Sequence, residues 1–224
     1  MKRALIVGGS RGLGLGLVKE HLARGWHVTA TFRTPSPELS ALTSERLALE
    51  TVDVTDTAGI AALAGRLSGQ TFDLVFLNPG IMAGRGKTVS DISDADISNI
   101  MLVNAVAPIR VADALIGCLA PGGTIAFMTS ILGSMALNDD GRVELYRASK
   151  AALNSLILSF RGRRKAMDCT VLALHPGVVR TSMGGPTAPL DIETSVRGLA
   201  DTIAARAGSG GVAFVDYRNE VLPW

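Results

Sequence analysis

Hydrophobic positions along this chain fall into two kinds of run that alternate from end to end. The first kind is short and nearly continuous: Ala4–Val7, Val28–Phe32, Leu47–Val54, Phe72–Leu77, Thr124–Met128, Thr170–Leu174 and Gly211–Val215. Runs of this kind predict strands buried on both faces of a parallel sheet. The second kind is longer and returns every three to four residues: Leu13–Arg24, Asp56–Leu67, about Asp94 to Leu119, Tyr146–Phe160 and Asp191–Ala207. That period predicts helices with one apolar face. Asp56 reads as a helix N-cap, and Pro35–Glu45 as a turn with a short helix. Alternating strands and helices predict an α/β layer structure. The expectation is one doubly wound domain over residues 1–224, with a parallel sheet of about seven strands flanked by helices. No repeat, long linker or composition shift divides it.

Composition narrows the function classes. The chain is 47% hydrophobic, enough for a substantial core, and its formal net charge of +2 directs it neither to nucleic acid nor to a membrane surface. Arg161, Arg163, Arg164 and Lys165 cluster at a helix end, where cations suit the macrodipole. Cys118 and Cys169 lack metal-ligand spacing and read as buried free thiols of a reducing compartment. No segment reaches the roughly 18 apolar residues that predict a bilayer span. The short run Ala4–Val7 meets glycines at once, so it reads as a strand and not as a signal peptide. A cytoplasmic protein is expected. Asp91, Asp94 and Asp96 suit the start of a helix better than a metal, and no metal is expected.

The candidate chemistry begins after the first strand. Gly8-Gly9-Ser10-Arg11-Gly12-Leu13-Gly14 joins that strand to a helix. Glycines there permit a tight turn and close approach of a ligand to the backbone, while the helix N-terminus favours an anion. Strand, glycine loop and helix in this order predict a pyrophosphate cradle. No Lys-Ser/Thr pair follows, which disfavours a triphosphate-binding loop. The second strand ends at Thr31-Phe32-Arg33, where an acidic residue would take the adenine ribose of NAD. Arg33, with Arg11 in the first loop, suits a 2′-phosphate instead, which predicts NADP(H) over NAD(H).

Further along, Pro108 has no N–H to give the carbonyl of Asn104. The carbonyl and side chain of Asn104 are therefore potential holders of a water, although an ordinary kink would follow equally. Thr129 and Ser130 place hydroxyls at the carboxyl end of a central strand, where open α/β sheets bind ligands. Tyr146 and Lys150 are four apart, one turn apart on one helix face. An ammonium alongside would lower the phenol pKa and make Tyr146 a proton donor to a carbonyl oxygen. His175 could serve as a catalytic base, but against Pro176 at a strand end it reads more readily as structural. Val178–Leu190 is rich in Gly and Pro and reads as a mobile lid.

Together these residues resemble one family over nearly the whole chain. Val7-Gly8-x-x-x-Gly12-x-Gly14, Asp53-Val54, Asn78-x-Gly80, Asn104, Ser130, Tyr146-x-x-x-Lys150 and Pro176-Gly177 stand in the order of the short-chain dehydrogenases/reductases. Tyr146–Asn154, Leu174–Thr181, Met183-Gly184-Gly185 and Leu222-Pro223-Trp224 are similar to the C-factor and sniffer-type carbonyl reductase subgroup. The resemblance implies a Rossmann-type fold and an NADP(H)-dependent oxidoreductase. Tyr146 would be the acid/base, Lys150 would tune it and hold the nicotinamide ribose, Ser130 would bond the substrate oxygen, and Asn104 would anchor a water. It implies cofactor contacts from Gly8, Ser10, Arg11, Gly12, Leu13, Gly14, Arg33, Asp53, Val54, Asn78, Gly80, Tyr146, Lys150, Pro176, Gly177, Val179 and Thr181, with Asp53 on the adenine and Thr181 on the carboxamide.

The chain departs from the family pattern at Val7, where a Thr is usual, and at Pro79 in Leu77-Asn78-Pro79-Gly80. The interval from Ser130 to Tyr146 is also longer than in many members. Ile131, Leu132, Met135, Leu137, Leu145 and Met183 flank the site and suggest a small apolar carbonyl compound: an aldehyde, ketone or quinone. Relatives suggest a homodimer or larger assembly. A dinucleotide-binding regulator with little turnover is the alternative.

Overall fold

The computed structural model describes residues 1–34 and 36–224, so Pro35, the first residue of the predicted turn, lies outside the described residues. Seven strands form one sheet: β1 (Arg3–Val7), β2 (His27–Phe32), β3 (Leu47–Thr51), β4 (Phe72–Leu77), β5 (Leu119–Met128), β6 (Cys169–His175) and β7 (Val212–Asp216). Every named pair is parallel, in the order β3-β2-β1-β4-β5-β6-β7. The helices are α1 (Gly12–Ala23), α2 (Pro37–Ser40), α3 (Thr57–Arg66), α4 (Asp94–Met101), α5 (Ala107–Leu115), α6 (Glu144–Gly162) and α7 (Ile192–Arg206).

The sheet explains why its strands are apolar at consecutive positions. Leu5 and Val7 of β1 face a layer containing Leu63 of α3, Val111 of α5 and Leu153 and Phe160 of α6. Ala4 and Ile6 face the other way, into Leu17 and Val18 of α1 and Leu199 and Ile203 of α7. Both sides of each central strand are buried, so no polar alternation survives. Cys118 and Cys169 are buried free thiols, as expected.

Capping residues set several helix starts. Asp56 accepts the Ala58 N–H, Ser93 accepts the Asp96 N–H, and Asp191 accepts the Thr194 N–H. Ser93 thus caps α4, with Asp94 and Asp96 in its first turn.

Four expectations change. The third strand ends at Thr51, before Asp53 and Val54. The fifth begins at Leu119, because the register with β4 shifts between Phe72 and Leu74 and extends the pairing back through Gly122 and Gly123. The long helix from Asp94 is not one α-helix with a kink. Residues Leu102–Val106 form a π segment, in which the Ala107 N–H reaches the Leu102 carbonyl five residues back. Pro108, lacking an N–H, follows at once, so the wider turn falls where an α-helical bond is missing anyway. The whole helical stretch Asp94–Cys118 is long and apolar enough to cross a bilayer by length and composition, against the expectation of no such segment. Half of its apolar window is buried within the protein.

Candidate active site

Strand order reverses direction between β1 and β4, which leaves a crevice beyond their carboxyl ends. Gly8 follows β1 with φ +82°, a conformation open to glycine and strained for other residues. Gly14 is constrained by space: a Cβ there would lie 2.0 Å from the Gly8 carbonyl oxygen and 2.7 Å from Asn78 Nδ2. The first turn of α1 therefore rests directly on the loop backbone. Asn78 Nδ2 donates to the Gly8 carbonyl at 3.0 Å and locks the loop to the end of β4.

Thr31, which sequence reasoning passed over, accepts the Gly8 N–H on its hydroxyl at 3.1 Å, while its carbonyl accepts the Gly9 N–H at 2.8 Å. A hydroxyl from β2 thus supports the turn in a chain whose residue 7 is Val. The α1 N-terminus has no side-chain cap at Arg11 and no acidic residue in its first turn. Unpaired N–H groups at that end suit an anion, and the glycine cradle fits a dinucleotide pyrophosphate.

Arg11, after β1, and Arg33, after β2, are exposed, and neither has a side-chain hydrogen bond among the described residues. The Asp53 carboxyl is held below its usual range by the backbone N–H and hydroxyl of Thr55, and the Arg33 charge acts in the same direction. Arg33 and Asp53 thus share the end of the crevice where an adenine ribose is expected. Val54 packs from the edge against the core.

α6 carries Tyr146, Lys150 and Asn154 on one buried face, each a turn from the next. Lys150 Nζ donates to the Met128 carbonyl at 2.9 Å and lies 5.9 Å from the Tyr146 ring centre. The space beside Gly80 is bounded by Lys150 Nζ and Asn104 Oδ1, so residues separated widely in sequence meet there. Asn104 is fully buried, and its side chain is committed: Oδ1 accepts the Ile81 N–H at 2.8 Å, and Nδ2 donates to the Ile81 carbonyl and Ser149 Oγ. Both Nδ2 hydrogens are thus committed, while Oδ1 accepts a single hydrogen bond and keeps a second acceptor site.

The expected lowering of the Tyr146 pKa is corrected. Burial pushes the phenol up to about 12, with the Ser130 hydroxyl opposing, and burial pulls Lys150 down to about 8. Removing two ionisable groups from water disfavours both charged forms, and 5.9 Å of separation does not offset that here.

The other side of Tyr146 opens onto a cavity of about 430 Å³. Leu13, Ser130, Tyr146, Pro176, Gly177, Val179 and Thr181 line it. The loop after β5 is tied down from afar: Asn154 accepts the Thr129 hydroxyl at 2.7 Å and donates to the Gly133 carbonyl at 3.2 Å. A Cβ on Gly133 would meet the Lys150 backbone at 2.8 Å, so this loop lies flat on α6. Farther on, the Ala136 N–H reaches the carbonyl of Trp224, whose ring packs on Phe214. Asp140 accepts from Arg147 Nη2 at 2.6 Å and from Arg142. Val143 closes the loop in the left-handed region at φ 52°, a strained conformation for a β-branched residue.

The segment 178–190 is closed at its base by the Arg180 N–H on Leu190 and the Leu190 N–H on Val178. Within it, Thr181 Oγ1 accepts the Gly184 N–H. Pro176 holds its position through a carbonyl that accepts Ser195 Oγ at 2.6 Å.

Of the six apolar candidates, Ile131, Leu132 and Met183 line the cavity, whereas Met135 and Leu137 are exposed and Leu145 packs in a core cluster beneath Tyr146. His175 also reaches the cavity wall, with Nδ1 buried and unpartnered, and burial lowers its pKa to about 4. Asn154 was findable in the sequence as the next polar residue on the Tyr146–Lys150 face. Thr31, Asp140 and Arg147 carry no local signal.

A sequence profile of the short chain dehydrogenase family matches residues 2–189. The C-signal protein of Myxococcus xanthus is 36% identical over 154 residues, covering 68% of this chain and 92% of that protein. A carbonyl reductase from Pseudomonas aeruginosa PAO1, solved in complex with NADP, is 42% identical and superposes with a TM-score of 0.92, with 100% of each chain covered. The carbonyl reductase Sniffer of D. melanogaster is 29% identical with a TM-score of 0.88, again covering both chains fully.

Proposed function

This chain belongs to the short-chain dehydrogenase family, and from that premise we propose that it is an NADP(H)-dependent oxidoreductase of carbonyl compounds. The observation that carries the proposal is a cavity lined by Tyr146, Ser130 and Leu13 of the glycine loop, with Lys150 buried one helical turn from Tyr146. When bound, the nicotinamide supplies or accepts the hydride. Tyr146 gives its phenolic proton to the carbonyl oxygen as charge develops there, and the Ser130 hydroxyl donates a second hydrogen bond to the same oxygen. Lys150 is already desolvated, so ribose hydroxyls would find its N–H groups with little water to displace. The carbonyl of Asn104 holds the water that returns a proton toward Lys150. Arg11 and Arg33, with no acid at the end of β2, support a 2′-phosphate and therefore NADP(H) over NAD(H).

A binding protein of low turnover is the second reading, kept by the likeness to a protein named for signalling. The complete set of Asn104, Ser130, Tyr146 and Lys150 favours catalysis, since binding alone does not need all four. We also propose a homodimer or larger assembly. A light-scattering mass near 23.3 kDa at micromolar concentration would refute that.

The deciding experiment is NADPH consumption across aldehydes, ketones and quinones, with Tyr146→Phe as the control. Loss of the phenol oxygen is expected to lower kcat by roughly 10²–10⁴ while the NADPH Kd stays within about twofold. Near wild-type kcat in Tyr146→Phe would place the acid elsewhere.

A further inference from the structure

We propose that the cavity beside Tyr146 selects carbonyl substrates that carry a carboxylate at the end remote from the reacting carbonyl. The inference deepens the carbonyl-reductase reading above and rests on it. Much of the cavity wall is apolar, including Met82, Ile131, Leu132, Val143 and Met183, and suits a hydrocarbon body. Three guanidinium groups also line it, Arg85, Arg142 and Arg147, against a single carboxylate, Asp140. Each arginine arrives from a different place: the loop after β4, the loop after β5, and α6.

The one acid does not neutralise the three bases. Asp140 Oδ2 accepts Arg142 Nε at 2.9 Å and Nη2 at 2.7 Å, and Oδ1 accepts Arg147 Nη2 at 2.6 Å. Its acceptor positions are therefore committed, and two positive charges remain in excess on the wall. Arg147 is 6% exposed and keeps Nη1 buried without an acceptor, so part of the local positive charge lacks a protein partner. Arg85 is exposed and donates to a neutral acceptor, the Met183 carbonyl, with no ion pair among the described residues. The Arg142 side chain is 81% exposed, which puts it at the mouth and not in the depth of the cavity.

Tyr146 and Ser130 lie within the same wall as this basic rim. A substrate with its carbonyl at Tyr146 and its apolar body along Ile131, Leu132 and Met183 would project its far end toward Arg85 and Arg142. A carboxylate there gains charge-assisted hydrogen bonds from planar guanidinium forks, whereas an ester or amide of the same size does not.

The test uses the full chain with NADPH and two matched substrates, 4-formylbenzoate and methyl 4-formylbenzoate. In the wild type, kcat/KM is expected to favour the acid by about 10-fold at low salt, shrinking as ionic strength rises. In Arg85→Gln/Arg142→Gln the acid-to-ester ratio should fall several-fold toward one. A wild-type ratio at or below one, or a ratio unmoved in the double variant, would overturn the proposal. Turnover of the ester separately tests the reductase reading. If neither substrate turned over, calorimetric titration of the NADP-loaded protein with 4-(hydroxymethyl)benzoate and its methyl ester would still decide. Tighter acid binding lost in the double variant sustains the basic rim without catalysis, and equal binding removes it.

Discussion

The cofactor side and the substrate side of the crevice are held by different kinds of contact. In the glycine loop Gly14 packs directly on the Gly8 backbone, and the turn is closed by Asn78 and Thr31 at hydrogen-bond distance. Around the 131–143 loop they reach in from α6 and the C-terminus: the side chains of Asn154 and Arg147 and the backbone carbonyl of Trp224. At Gly14 that backbone packing leaves no room for a Cβ, so the position tolerates little substitution. Side-chain ties can be exchanged one at a time, and loops held this way are where specificity changes without loss of the fold.

A first substitution should break the rigid half outright. In Gly14→Ala the new Cβ meets the Gly8 oxygen at 2.0 Å, and one of the two segments must move. A destabilisation of about 3 kcal/mol is expected, with NADPH affinity lost by roughly 100-fold or more as the cradle opens. Thermal melting and cofactor titration check both, and a near wild-type Kd would show that the cradle is softer than its packing implies.

Arg33→Asp leaves the cradle intact and changes only its far end. A carboxylate beside the ribose repels a 2′-phosphate and accepts a free 2′-hydroxyl, so the NADPH-to-NADH affinity ratio should fall by roughly 10- to 100-fold. Equal Kd values for the two cofactors in the wild type would sink the premise.

On the substrate side, Asp140→Asn frees Arg147, which is 6% exposed and loses its one carboxylate partner among the described residues. The 131–143 loop should loosen, raising KM by roughly 10-fold while the NADPH Kd stays unchanged. A matching loss in cofactor binding would mean the two halves are coupled more tightly than their contacts suggest.

The smallest effects are in the pH dependence of ligand-free stability. His175 stays neutral in the folded chain down to about pH 4, against an ordinary 6.5. The unfolded chain binds the extra proton first, so stability present above pH 6.5 is lost as pH falls toward 4. His21, also lowered by burial, shares that acid limb, and His175→Asn should remove only part of it.

Lys150 works at the other end. Its folded pKa of about 8 lies below the ordinary 10.5, so stability should rise between those values as the unfolded chain holds the proton longer. Tyr146 opposes above pH 10, because its neutral phenol persists in the fold to about 12. Lys150→Met should flatten the alkaline rise and raise the melting temperature at pH 7. An unchanged pH–Tm curve would mean that the ammonium is solvated.

Much of this molecule could be read along the chain, because the signals are short-ranged. A strand buried on both faces shows as consecutive apolar residues, Tyr146 and Lys150 share a face because a helix turns every 3.6 residues, and Pro108 marks its own missing donor. These features also placed the glycine turn, the strand hydroxyl at Ser130 and the arginine where an acid would select NAD. Only the tertiary structure decided what crosses long stretches of chain. Thr31 supports Gly8 from 23 residues away, Arg85 reaches Met183 across 98, and Asn104 gives its side chain to Ile81 and Ser149. The direction of the Tyr146 shift belongs to the same class. Spacing alone puts an ammonium one turn from a phenol, but desolvation depends on everything packed around the pair, and in the ligand-free protein burial outweighs the neighbouring charge.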